Sequence, residues 1–121
     1  MTREQFLLLK LAEEAQEVAK RAIKQIQFGA NQTQSKDGLN PNDGKIASYD
    51  KPEAQQTNKE RLSSELIDMT IIVELLQEAD QITSAPSSPD YENLKEKKIE
   101  RLNKYLALSR AEAQVNGDWT I

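Results

Sequence analysis

Apolar residues recur every three or four positions between about Arg3 and Gln27, at Leu8, Leu11, Ala15, Val18, Ala22 and Ile26, with no Gly or Pro among them. That period predicts an amphipathic first helix. Thr2 is placed to cap it, Glu4 lies in the first turn where the helix dipole favours an acid, and Gly29 follows its end. A second helical period starts near Thr57 or Asn58 and runs to about Gln81 through Leu62, Leu66, Met69, Ile72, Val73 and Leu76. The run Ser84-Ala85-Pro86-Ser87-Ser88-Pro89-Asp90 then breaks it. A third helix is predicted from about Tyr91 to Gln114, using Leu94, Leu102, Tyr105, Leu106 and Leu108, and Gly117 precedes a short tail with Trp119. Between the first two helices, residues 29–57 are dominated by Asn, Gln, Gly, Asp, Ser and Pro, with the turn pairs Asn40-Pro41 and Asp43-Gly44. A loop that long is either an insertion or a lid that orders over a ligand. No internal repeat is present, and the expected class is all-α.

Composition narrows the picture. A chain of 121 residues is expected to be one domain, 1–121, and 37% hydrophobic content is modest for a self-sufficient core, so oligomerisation is expected. Aromatics at 5% against 30% charged residues suit surface helices better than half-buried strands. The net charge of -4 argues against a nucleic-acid partner, whose backbone is bound by clustered Lys and Arg. No signal-peptide core and no apolar run of about 20 residues is present, so no membrane partner is expected and the default is cytoplasmic. The chain has neither Cys nor His. Disulfides, thiolate nucleophiles, imidazole bases and nitrogen or sulfur metal sites are thereby excluded, which leaves oxygen ligands and with them Mg²⁺ or Mn²⁺.

Oxygen ligands occur in two acidic pairs with i,i+3 spacing, Glu14 and Glu17 on the first helix, Glu65 and Asp68 on the second. At about 100° per residue, Glu14 and Glu17 fall beside the apolar arc of the first helix, on the same strip as Lys10 and Arg21, while Glu13 points to the polar side. Glu65 and Asp68 fall inside the arc of the second, between Leu62, Met69, Leu76 and Leu75, with Arg61 near the same azimuth. A core-facing carboxylate needs a cation or a metal. The plain alternatives are a solvated face for Glu14 and Glu17, and a buried salt bridge to Arg61 or Arg101 for Glu65 and Asp68. On the third helix Lys98 and Arg101 lie on the expected core side, with Lys97 and Lys104 at its border. They are either a solvated face or inward cations for phosphate.

The ordered set Glu14-x-x-Glu17 and Glu65-x-x-Asp68 resembles the signature of the all-α nucleoside triphosphate pyrophosphohydrolases, the superfamily of MazG proteins and dimeric dUTPases. The nearest look-alikes are small MazG-like proteins, many from bacteriophages. Leu11-Ala12-Glu13-Glu14-Ala15-Gln16-Glu17-Val18-Ala19 with Ile26-Gln27-Phe28-Gly29, then Asn58 to Asp68, then Lys98-Ile99-Glu100-Arg101-Leu102-Asn103-Lys104-Tyr105 carry the likeness over roughly three quarters of the chain, in order. The resemblance implies an antiparallel bundle of three long helices, completed by homo-oligomerisation into a four-helix-type site. It implies Mg²⁺ at Glu14, Glu17, Glu65 and Asp68, and hydrolysis of a nucleoside triphosphate to the monophosphate and pyrophosphate. Arg21, Lys97, Lys98, Arg101 and Lys104 become the phosphate-binding candidates. Two departures stand out: the stretch Gln34 to Gln56 is longer than the family usually has, and Ile67 stands where close relatives often have Asn.

Phosphoanhydride cleavage needs charge neutralisation and an aligned water, both of which carboxylate-held metals supply. Glu17 or Glu14 is the candidate acceptor of the water's proton. Phe28, Tyr105 and Trp119 are the candidates for stacking on a base, with Phe28 and Tyr105 alternatively plain core and Trp119 an anchor of the tail. Ile67 and Ile71 point away from the carboxylates, so a homodimer or a dimer of dimers is expected. Two other readings compete: a nucleotide-sequestering protein without turnover, such as a phage sponge for a host signalling nucleotide, and a helical oligomerisation module.

Overall fold

The computed structural model describes residues 1–33 and 55–121. Among them are three helices, α1 (Arg3–Phe28), α2 (Asn58–Glu78) and α3 (Tyr91–Ala111), and no strand beyond an isolated bridge between Thr33 and Thr57. The all-α expectation holds. The predicted loop lies outside the described residues from 34 to 54. Two compact units divide the chain, Met1–Ile82 with α1 and α2, and Thr83–Ile121 with α3. No described helix is long and apolar enough to cross a membrane.

In the first unit both helices begin with a complete capping box. Thr2 Oγ1 accepts from the Gln5 amide while Gln5 Oε1 accepts from the Thr2 amide, and Thr57 and Glu60 repeat the exchange. Each box satisfies two of the amides that a helix start leaves without intrahelical partners. α1 ends at Gly29, whose φ of 88° is a backbone state that side-chain-bearing residues rarely adopt. There the chain is tied to the start of α2: Asn58 Nδ2 donates to Gly29 O at 2.8 Å, and the amides of Asn58 and Lys59 donate to Gln32 O and Ala30 O. α1 and α2 then run back along each other as a hairpin.

The seam between these helices is not the one hydrophobicity predicts. On α1 the covered stripe is Leu7, Leu11, Glu14, Val18, Arg21 and Gln25, about one residue in rotation from the expected arc. Leu11, Val18 and Ala22 are half-buried as expected, whereas Leu8, Ala15 and Ile26 are exposed, Ile26 at 85%. On α2, Leu76 is fully buried, but Leu66 is exposed, as are Ile67 and Ile71, the two residues expected on the outside. The interior is split, with Leu7 and Leu76 buried alongside Arg21, Gln56, Asn58 and Arg61. A two-helix seam covers only a narrow stripe of each helix. Here charge compensation between the helices takes part of that stripe, and the remaining apolar residues stay outside.

In the second unit the expected core stripe of α3 is also corrected. Leu94, Leu102, Tyr105 and Leu108 are exposed, as are Lys98 and Arg101, and the covered side is Leu106 with half-buried Ile99, Asn103 and Arg110. The C-terminal tail folds onto that side. Arg110 Nε donates to Gly117 O at 2.6 Å, a terminal guanidinium nitrogen donates to Trp119 O, and the guanidinium lies 5.4 Å from the Trp119 ring centre. Ile121 N reaches Asn103 Oδ1 at 2.8 Å. Gly117, at φ 86°, leaves room for the indole, since a Cβ there would stand 3.1 Å from Trp119 Cδ1.

Candidate metal centre

Packing of α1 on α2 brings three of the four predicted carboxylates together. One oxygen each from Glu14, Glu65 and Asp68 lies within 4.8 Å of the others. Glu14 and Glu65 are half-buried, while Asp68 is exposed at the edge of the seam and not in the core as its position on the apolar arc predicted. Glu17, half-buried one turn along from Glu14, stands outside this trio but within electrostatic reach of Glu65. The site therefore opens to solvent on the Asp68 side and closes toward Glu65.

The electrostatics follow from that placement. Partial burial pushes the Glu65 carboxyl above the usual carboxylate range, and the charges of Glu14, Glu17 and Asp68 push it further. Arg21 acts in the opposite sense. Its side chain is buried, as is that of Arg61. Lys10, expected on the same strip, is held by Glu13 at 2.8 Å, and that hydrogen bond raises the lysine's own pKa.

The donor set fits a hard divalent cation. Carboxylate oxygens about one Mg²⁺ at roughly 2.1 Å lie up to about 4.2 Å apart, so groups already within 4.8 Å need only side-chain adjustment. Filling the site would also compensate the three like charges that act on Glu65.

The other predicted residues fall elsewhere. Lys97, Lys98, Arg101 and Lys104 are all exposed on α3, in the second unit. Phe28, Tyr105 and Trp119 are more than half exposed, so none is plain core; Phe28 lies under Lys24 at 5.7 Å, and Trp119 is the tail anchor on Arg110. Gln56 and Asn58, which flank the Thr57 cap, are buried polar residues whose burial the apolar pattern does not signal, and Asn58 ties the loop base to Gly29.

No family model, curated protein or solved structure matches the chain.

Proposed function

We propose that the protein is a Mg²⁺-dependent nucleoside triphosphate pyrophosphohydrolase, releasing a nucleoside monophosphate and pyrophosphate. The observation that carries this reading is the convergence of Glu14, Glu65 and Asp68 from two helices on one point. The ordered acidic motifs and the complete absence of Cys and His support it. In this reading Glu14, Glu65 and Asp68 hold the ion, with Mn²⁺ as an alternative occupant. Mg²⁺ bound there supplies neutralisation of phosphate charge and orientation of the triphosphate.

The chain's own groups do the rest. Glu17, outside the trio yet half-buried beside it, accepts the proton of the water that cleaves the α–β anhydride. Buried Arg21 serves as the internal counter-cation of Glu65. A second copy covers the apolar residues left outside the helices and completes a four-helix-type enclosure, as a dimer or a dimer of dimers. The test is pyrophosphate release from a panel of ribo- and deoxyribonucleotides with Mg²⁺, for wild type and Glu65→Gln. Tight nucleotide binding without metal-dependent turnover would replace the enzyme with a sequestering protein.

A further inference from the structure

Residues 84–86 and the first turns of α3 line an open groove of about 500 Å³ within the second unit. The segment contributes Ala85 and Pro86, and the helix contributes Tyr91, Leu94 and Ile99, so the walls are apolar. Three cations stand among them, Lys95, Lys98 and Arg101, and no carboxylate lines the groove. Its segment wall is fixed in place: Ser84 Oγ donates to Asp90 Oδ2 at 3.0 Å, Ala85 N to Ser88 Oγ at 2.8 Å, and Ser88 N to Ala85 O at 2.8 Å.

The charge pattern is unfavourable as it stands. Lys95, Lys98 and Arg101 repeat at i,i+3, so like charges stack on successive turns. Among the described residues none of the three has an ion-pair partner. A bare inorganic anion would answer the charge but leave Tyr91, Leu94 and Pro86 uncovered, and a neutral apolar ligand would do the reverse. The volume is in the range of small-molecule sites.

We propose that this groove binds a small organic anion with a flat apolar body, an aryl phosphate or aryl carboxylate, whose ring lies on Tyr91, Leu94 and Pro86 and whose charge meets Lys95, Lys98 and Arg101. No residue of the first unit takes part, so the site stands independently of the metal centre. Tyr91 and Lys95 thereby acquire a role that the sequence pattern does not suggest.

The test uses the full chain without Mg²⁺. Binding of 1-naphthyl phosphate, 1-naphthoate, 1-naphthol and inorganic phosphate is measured by calorimetry, with amide chemical-shift mapping. Both aryl anions are expected to bind and to shift residues 84–101, with the phosphate and carboxylate arms showing which head group is preferred. Naphthol and phosphate alone are expected to bind at least about tenfold more weakly. Lys98→Gln and Leu94→Ser, both at exposed positions, are each expected to weaken aryl-anion binding about tenfold while leaving the helical circular dichroism unchanged. Equal affinity in wild type and both variants, shifts confined to other residues, or self-association that buries Leu94 would each overturn the proposal.

Discussion

Glu65 sits where partial burial and three neighbouring carboxylates all disfavour its charge, with Arg21 opposing them. Its folded pKa is raised above the ordinary value of 4.5, so the folded chain holds a proton that the unfolded chain releases. The stability this contributes is complete below the ordinary value and is lost as pH rises through the folded one. Without metal, the thermal midpoint is therefore expected to fall as pH rises through that window, and in Glu65→Gln this part of the decline should be absent. The same substitution is expected to raise the metal-free midpoint at neutral pH by a few degrees, because a disfavoured charge is gone. Saturating Mg²⁺ is expected to raise the wild-type midpoint at pH 7 and to do so less near pH 5, where protons compete for the carboxylates. Scanning calorimetry across pH, with and without Mg²⁺, checks all three. A pH-independent metal effect would show that the carboxylates are not the ligands.

At the scale of elements, the caps and the tied loop base set where helices begin and end. Thr2→Ala and Thr57→Ala are each expected to cost about 1 kcal/mol in urea unfolding, the usual value of an N-cap. Asn58→Ala should cost more, about 1–3 kcal/mol, because its buried amide holds the end of α1 to the start of α2 through Gly29 O. The starts of the three helices and the end of α1 were legible in the sequence, whereas α2 and α3 stop at Glu78 and Ala111, short of the expected Gln81 and Gln114. Thr2, Thr57 and Gly29 announce themselves by residue type, and the Pro-rich run after α2 can only break a helix. The facing of each helix was less legible. Apolar spacing pointed to Leu8, Ala15 and Ile26, but the seam instead takes Leu7, Glu14 and Arg21, since oppositely charged side chains on two helices compensate one another in a way that no single-helix projection contains. The stripe on α3 was misplaced for a related reason. Arg110 and Asn103 bond the tail, so the tail covers their side and leaves Leu102 and Tyr105 outside.

At the scale of the whole molecule, the exposed large apolar side chains outnumber the buried ones among the described residues. Phe6, Leu9, Ile23, Leu66, Ile67 and Ile71 are each more than 40% exposed in the first unit, more than scattered surface residues usually require explanation for. Light scattering at micromolar concentration is expected to give at least a dimer, and Ile67→Glu with Ile71→Glu to give a monomer of unchanged helix content and strongly reduced turnover. A monomeric wild type with full activity would contradict this. The carboxylates of the site were legible because an acidic pair within an apolar arc is costly, and three of the four do converge. What the sequence does not convey is their inequality: Asp68 faces solvent, Glu17 stands apart, and Glu65 bears the charge of all the others. The most direct measurement of the central claim is pyrophosphate release from nucleoside triphosphates with Mg²⁺ and with chelator, for wild type and Glu65→Gln. The expected result is metal-dependent release by wild type, lost with chelator and reduced about a hundredfold or more in the variant. Turnover that persists in the variant, or its absence from wild type despite bound nucleotide and Mg²⁺, would contradict it.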